Sequence, residues 1–450
     1  MITLSPNALT WISLLLKERF GVPFLLEHKE SSFILKIEGS ESSIKFPVLI
    51  KGFYQINCNL PCTTWYAAKE GWHGIIDNSL FAPGVDRLQT PLIKLHSHGA
   101  TIHYDILGLS YWMLARVEEI GSTNLDNHNR FPATASHAYK YCYLERPIVD
   151  EWFDILSQVI NKVWPTLNIV KHKFNVKVSH DVDAPSMYSF KSWKSIARMM
   201  AGDLLKRRDL KSFVSKPLIK IKSKKGIHPS DPFNTFDKIM KISEKNGLTS
   251  AFYFICGRSD KSKDAEYEIE HPLIRKLIQE IHSRGHEIGL HLSYGSFDKP
   301  EVIKNEADRL RKLLESESIP YNTFGGRMHF LKWEQPVTMQ ALEDAGMTYD
   351  STLSYADLPG FRCGTCFEYP GFNHLTQQVL NLRIRPLIVM ECTVIDSRYM
   401  NLGYTDEALN KMLELKDRCR KVGGFFTLLW HNSHFTNPKD FEIYERVVSK

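Results

Sequence analysis

From Lys173 onward the chain alternates between strand-like and helix-like segments, and this alternation constrains the fold more than any other feature. Runs rich in β-branched and aromatic residues at Phe174–Ser179, Thr249–Ile255, His286–His291, Tyr321–Gly325, Met347–Leu353, Leu380–Leu387 and Phe425–Trp430 read as seven strands. Helical patterns fall between most of them, at His271–Ser283, Glu301–Glu315, Pro336–Ala345 and Thr405–Lys421. Strands separated by helices pair in parallel, with the helices outside. About seven or eight such units close into a barrel whose chemistry lies at the C-terminal ends of the strands. The expected fold class is therefore α/β, a seven-stranded (β/α) barrel.

Residues 1 to about 170 read differently, as a smaller α+β domain. Ser31–Glu38 and Ile44–Ile50 are expected strands, and Asp105–Glu119 and Pro147–Trp164 expected helices. The expected division is 1–170 and 171–450, with a basic insert at about 190–230. With 43% hydrophobic and 12% aromatic residues the chain can bury a core, which excludes a disordered protein. Eight Cys are too few for a disulfide scaffold, and Cys363–Cys366 is a lone CxxC, so reduced thiols are expected. His96, His98 and His103 read as ordinary histidines. The opening MITLSPNALTWISLLLKERF has no basic start and no small-residue cleavage site, and no run of 18 apolar residues follows. A cytoplasmic protein is expected.

The positive excess is concentrated. Residues 191–225 hold twelve Lys or Arg against two Asp, a local +10 in a chain of net +6, so the remainder is at −4. Trp193, Ile196, Met199, Met200, Leu204 and Leu205 recur at helical spacing there. Two readings stand: a segment on an anionic membrane surface, peripheral to the inner membrane, or a solvated helix pair over the barrel mouth. No nucleic-acid partner is expected, because aromatic and basic residues do not interleave.

Polar residues gather at the strand ends. The first strand ends in Ser179-His180-Asp181-Val182-Asp183, whose two acids share a face in an extended chain. Buried together they need something positive, although the same residues also read as a solvated turn. The third strand closes on His291, the fourth on Arg327-Met328-His329, and the last on His431. An Asp and two His with an open position describe a catalytic divalent-metal site.

These four motifs, in this order, resemble those of the polysaccharide deacetylase family, the NodB-homology fold of carbohydrate esterase family 4. The resemblance spans about Lys173–Lys450. LSYWMLARVEEI, NRFPA and PIVDEW resemble an uncharacterised domain preceding family members with an SHDVD-type first motif, which are associated with surface-polysaccharide loci. The resemblance implies Asp181 as general base, Asp183 and His291 as metal ligands, Arg327 as the residue orienting the base and His431 as general acid. Gly295 stands where the family has its second His ligand, and His329 is expected to replace it. Asp350 lies where the family often has a supporting acid.

The implied activity is metal-dependent removal of an N-acetyl group from a sugar or oligosaccharide, with zinc or a similar divalent ion. The alternatives are an amidohydrolase acting on a non-sugar amide and, given Gly295, a silent sugar-binding protein. Tyr294, Trp333, Tyr355 and Phe361 are the aromatics available to stack on a sugar.

Overall fold

The computed structural model describes residues 5–29, 31–48 and 50–449, excepting the side chains of Lys206 and Arg207. Seven short strands come first among them: β1 (Leu25–Lys29), β2 (Ser32–Lys36), β3 (Ser43–Pro47), β4 (Cys62–Tyr66), β5 (Ser79–Pro83), β6 (Ile93–His96) and β7 (Gly99–Ile102). Five form a sheet in the order β1-β2-β3-β7-β6, and β4 and β5 pair as a separate hairpin. The expected strand at Ile44–Ile50 stops at Pro47, and Leu49 of that expectation lies outside the described residues. His96 and His98 sit exposed at the β6–β7 turn.

The expected helix at Asp105–Glu119 divides. A fully buried helix runs Ile106–Leu114, capped by the Asp105 carboxylate, and a short turn follows at Val117–Glu119. Arg116 lies between them with a left-handed backbone (φ 50°), so the helix cannot run through. The helix Ile148–Val163 forms where expected and buries Trp152, Ile155, Leu156 and Val159.

Nine further strands build the second sheet: β8 (Asn175–Val182), β9 (Ser250–Ile255), β10 (Glu287–Leu292), β11 (Gly325–Met328), β12 (Tyr349–Asp350), β13 (Tyr369–Asn373), β14 (Gln378–Ile384), β15 (Val389–Met390) and β16 (Phe425–Leu429). Their order is β13-β14-β12-β11-β10-β9-β8-β16-β15, parallel throughout except for the β13–β14 hairpin. Every residue of β9 is buried, as befits a central strand of a parallel sheet.

This is an open half-barrel, not the expected closed barrel of seven strands. One stretch of chain approaches both edges: β14 pairs with β12, and β15, just beyond it, pairs with β16. Residues 385–388 between them belong to no strand, so the ladder does not close. β11 also lies later than the expected Tyr321–Gly325. Its two glycines pack so tightly that a Cβ on Gly325 would sit 2.0 Å from the Tyr349 ring, and one on Gly326 would sit 2.0 Å from Leu290 O.

One hydrophobic cluster runs from Ala8 to Val448 through both sheets. Buried polar contacts also join the segments before residue 170 to the loop between β12 and β13. Glu119 accepts from Arg362 Nε (2.9 Å) and Nη2 (2.6 Å), and Asp150 accepts from Thr365 Oγ1 (2.7 Å). All eight cysteines are free thiols. Burial pushes Cys363 up and Cys366 well up from their ordinary pKa, the opposite of what a reactive CxxC needs.

Candidate metal centre and active site

Parallel register brings the sequence-predicted residues to one rim. Val182 of β8 and Leu290 of β10 both align with Phe254 of β9, so Asp183 and His291 follow at the same level. On the other side of β10, His291 pairs with Arg327 of β11. His329 follows in a sharp turn in which Phe330 and Leu331 both have positive φ, 61° and 55°. Such backbone is costly for non-glycine residues and persists where the surroundings hold it. Here Arg130 Nη1 donates to Phe330 O (2.9 Å), with Arg130 itself paired to Asp126 (2.7 Å).

Asp183, His291 and His329 offer ligand atoms that all lie within 4.8 Å of one another. Asp183 Oδ1 is 3.3 Å from His291 Nε2 and 3.6 Å from His329 Nε2. Two ligands about 2.1 Å from a tetrahedral ion lie about 3.4 Å apart, so the spacing is that of a metal shell. Asp183 Oδ1 and His291 Nε2 are buried and make no hydrogen bond. The tautomers agree. His291 Nδ1 must donate to Arg327 O (2.9 Å), because a carbonyl only accepts, and His329 Nδ1 donates to Asp264 Oδ1 (3.0 Å). In the neutral rings both Nε2 lone pairs then face a carboxylate oxygen, an arrangement that a cation between them relieves.

Electrostatics show that the Asp183 carboxylate draws positive charge to the cluster. Burial would raise the Asp183 carboxyl, but the His329 charge and the facing His291 ring hold it well below its ordinary value. Burial would lower His329, yet Asp183 beside it lifts it to about 9. Burial would raise the Asp264 carboxyl, but His329 and the backbone N–H groups of Asp260 and Tyr294 hold it below its ordinary value. Gly295 is not part of this cluster: a Cβ there would meet Ser259 and Lys299.

Asp181 is held by Arg327, whose Nη1 donates to Oδ1 (2.7 Å) while Nη2 reaches Ser179 Oγ (2.9 Å) and Nε reaches Ser351 O (2.8 Å). Its Oδ2 faces His291 Nε2 at 3.5 Å. His431 presents Nε2 to Asp183 Oδ2 at 3.8 Å and donates Nδ1 to Glu391 Oε1 (2.6 Å). Burial alone would lower His431, but the Glu391 charge holds it well above its ordinary value.

A second group, Glu391, Cys392, His431 and His434, also gathers ligand atoms within 4.8 Å. Its carboxylate–imidazole distances of 2.6 and 2.9 Å are hydrogen-bond lengths, shorter than the spacing around a metal. Glu391 is therefore placed to orient His431, and His434 is lifted to about 10 against burial by Cys392 and Glu391.

Sequence reasoning missed Asp264, Glu391 and Cys392, and placed His434 in the loop after the last strand without a role. Glu391 had a signal, being the acid directly after the apolar run Leu387–Met390. Asp350, expected to support the site, instead accepts from Thr352 N (2.8 Å) and Oγ1 (2.5 Å), and burial pushes it up to about 6. Trp333, Tyr355 and Phe361 are core residues, unavailable to a sugar. Tyr294 is at the rim, its hydroxyl 3.0 Å from His128 Nδ1. Asp181, Asp183, His329, His431 and Arg130 all line a cavity of about 260 Å³. A larger cleft of about 670 Å³ near His172 and Arg420 contains none of them.

Residues 3–165 match a family of unknown function (DUF7033). No curated protein matches the chain. Three solved structures are similar over the greater part of their own length. One is described as a polysaccharide deacetylase from Mycobacterium smegmatis, at 15% identity and TM-score 0.40, with 62% of this chain and 83% of that one covered. Another is described as a polysaccharide deacetylase from Pseudomonas aeruginosa PAO1, at 12% identity and TM-score 0.37, with 62% and 84% covered. A third is the allantoinase Puue, at 13% identity and TM-score 0.36, with 63% and 85% covered. The functional reading rests on the geometry of the rim.

Proposed function

We propose that this chain is a hydrolase dependent on zinc or a similar divalent ion, and that it removes an N-acetyl group from a sugar in surface-polysaccharide biosynthesis. The observation that carries the reading is the pair of buried, unbonded ligand atoms, Asp183 Oδ1 and His291 Nε2, 3.3 Å apart. His329 is the third ligand in this proposal, in the position that Gly295 leaves open.

A divalent ion bound there supplies Lewis-acid polarisation of the amide carbonyl and a lowered pKa for the attacking water. Asp181 takes the water's proton, its Oδ1 fixed by Arg327 and its Oδ2 turned toward the ligands. His431 gives its Nε2 proton to the departing amine, and Glu391 on Nδ1 steadies the imidazolium. The region before residue 170 is proposed as a supporting domain, and the setting as cytoplasmic, at a membrane surface reached by the basic segment.

The test is acetate release from acetylated nucleotide sugars and oligosaccharides, with metal content measured on the same protein. Metal-dependent release from a sugar supports the proposal. A protein that binds sugar yet takes up no divalent ion is the silent alternative and sinks it. Turnover of non-sugar amides alone leaves the metal chemistry and removes the sugar.

A further inference from the structure

Two helices, Trp193–Gly202 and Leu210–Lys222, form a hairpin between β8 and the helix Phe236–Lys245, joined through a wide turn at Asp203–Arg207. Its feet are tied to the candidate active site. Asn432, the residue after His431, donates through Nδ2 to Ala184 O (3.0 Å) and Phe233 O (2.9 Å), and its carbonyl accepts from Thr235 Oγ1 (2.8 Å). Asp231 holds the near foot by accepting from Ser186 Oγ (2.6 Å) and Met187 N (2.8 Å).

The two faces of the hairpin differ. Inside, Tyr188, Ile196 and Ile219 form a small cluster of their own, and Asp203 pairs with Lys216. Outside, Leu210, Val214, Leu218 and Ile221 follow one another at helical spacing, exposed by 66%, 53%, 46% and 48%, and Leu205 at the tip is 78% exposed. Lys211, Lys222 and Lys225 beside them are also exposed. An apolar stripe edged by lysine is the pattern of a helix lying in a lipid interface. Among the described residues no helix is long and apolar enough to cross a membrane.

Charge separates the possible occupants. A nucleic acid would satisfy the lysines and leave the leucines in water. A second copy of the chain would cover the leucines while bringing a local +10 against a local +10. An anionic lipid surface satisfies both.

We propose that this hairpin docks the protein on an anionic bilayer. The stripe from Leu205 to Ile221 enters the headgroup layer, and the lysines lie over acidic headgroups. Because both feet are tied at Asn432, docking holds the rim carrying His431 at the lipid surface. Resting on the deacetylase reading, the substrate class is then a sugar carried on a lipid.

The test is co-sedimentation of the full chain with vesicles of phosphatidylcholine, with and without phosphatidylglycerol. Binding should require the anionic lipid and fall with added salt. Lys211→Gln, Lys222→Gln and Lys225→Gln combined should weaken it about a hundredfold, at roughly a factor of five per lysine. Leu210→Ser, Val214→Ser and Leu218→Ser combined should weaken it about tenfold or more, without loss of fold, since these side chains face water. No binding at low salt overturns the proposal, and so does equal binding to neutral vesicles. A wild-type dimer that the serine variant converts to monomer also overturns it, by making the stripe a self-interface. Vesicle binding needs no substrate, so it is scored apart from catalysis. Acetate release from a soluble acetylated sugar in the same preparations tests the catalytic reading alone.

Discussion

The two regions of the molecule treat buried charge in opposite ways. Before residue 170, the buried ion pairs are saturated: Arg116 bonds to Glu118 and Glu119, Arg146 to Glu151 and Asp77, and Arg19 to Asp150. Arg362, from the loop between β12 and β13, then completes Glu119. The unbonded buried polar atoms there are ring nitrogens of His28 and Trp65. At the rim of the second sheet, unbonded atoms cluster: Asp183 Oδ1, His291 Nε2 and Glu391 Oε2. A saturated ion pair has no valence left for a ligand, whereas an unbonded carboxylate among imidazoles waits for one. The first arrangement holds the molecule together, and the second is where chemistry is expected.

Substitution should split along that line. Asp183→Asn should lose the metal and bring turnover down by more than about a thousandfold, and a chelator should do the same to the wild type, reversibly. Asp181→Asn should abolish turnover with metal content near wild type; the reverse pattern means the two acids have been assigned the wrong way round. His431→Ala should slow turnover by about 10²–10⁴ with metal retained. Glu119→Ala should do the converse. It takes the carboxylate from Arg362 in the core, leaves Arg116 with Glu118 alone, and should cost about 3–5 kcal/mol in denaturant unfolding. If Glu119→Ala folds as stably as wild type, saturation is not what stabilises that region.

The comparison also explains what could be read from the sequence. Strand–helix alternation and acids or histidines at strand ends are local signals, so Asp181, Asp183, His291, Arg327, His329 and His431 could all be picked out. Whether the sheet closes depends on pairing between distant segments, which no local pattern reports. β11 was misplaced because two glycines carry no strand propensity, and their reason for being there is the Tyr349 ring. Reading Leu380–Leu387 as one strand hid the break at residues 385–388 and with it Glu391, at the end of β15. Asp264 sits in a loop far from any strand end, and only the fold brings it to His329.

Asp105 sharpens the contrast through pH. It is fully buried, capping the helix at Gly108 N (2.7 Å), and burial pushes its carboxyl up to about 7. Its folded pKa lies above its unfolded one, so its stabilising contribution is complete below about pH 4 and lost as pH rises through about 7. Between pH 5 and 8 this group should cost about 2–3 kcal/mol. Asp105→Asn keeps the acceptor for Gly108 and should flatten that part of the profile. An unchanged slope in the variant means that Asp105 is not the group responsible.

The smallest expected effect lies where the two regions meet. Arg130 belongs to the N-terminal region, yet it lines the candidate site and donates to Phe330 O, inside the turn of positive-φ residues that follows His329. Without that bond the turn can relax, and the His329 ring with it. Its Nδ1 partner, Asp264, still tethers the ring, so the ligand should be loosened and not lost. Arg130→Ala should therefore weaken metal affinity by about tenfold, the low end for loss of an outer support. It should slow turnover at limiting metal and recover it when metal is in excess. A structural role in packing alone would lower stability and leave the metal titration unmoved. A shift in the titration with stability retained would show that the saturated region reaches into the unsaturated one through Arg130.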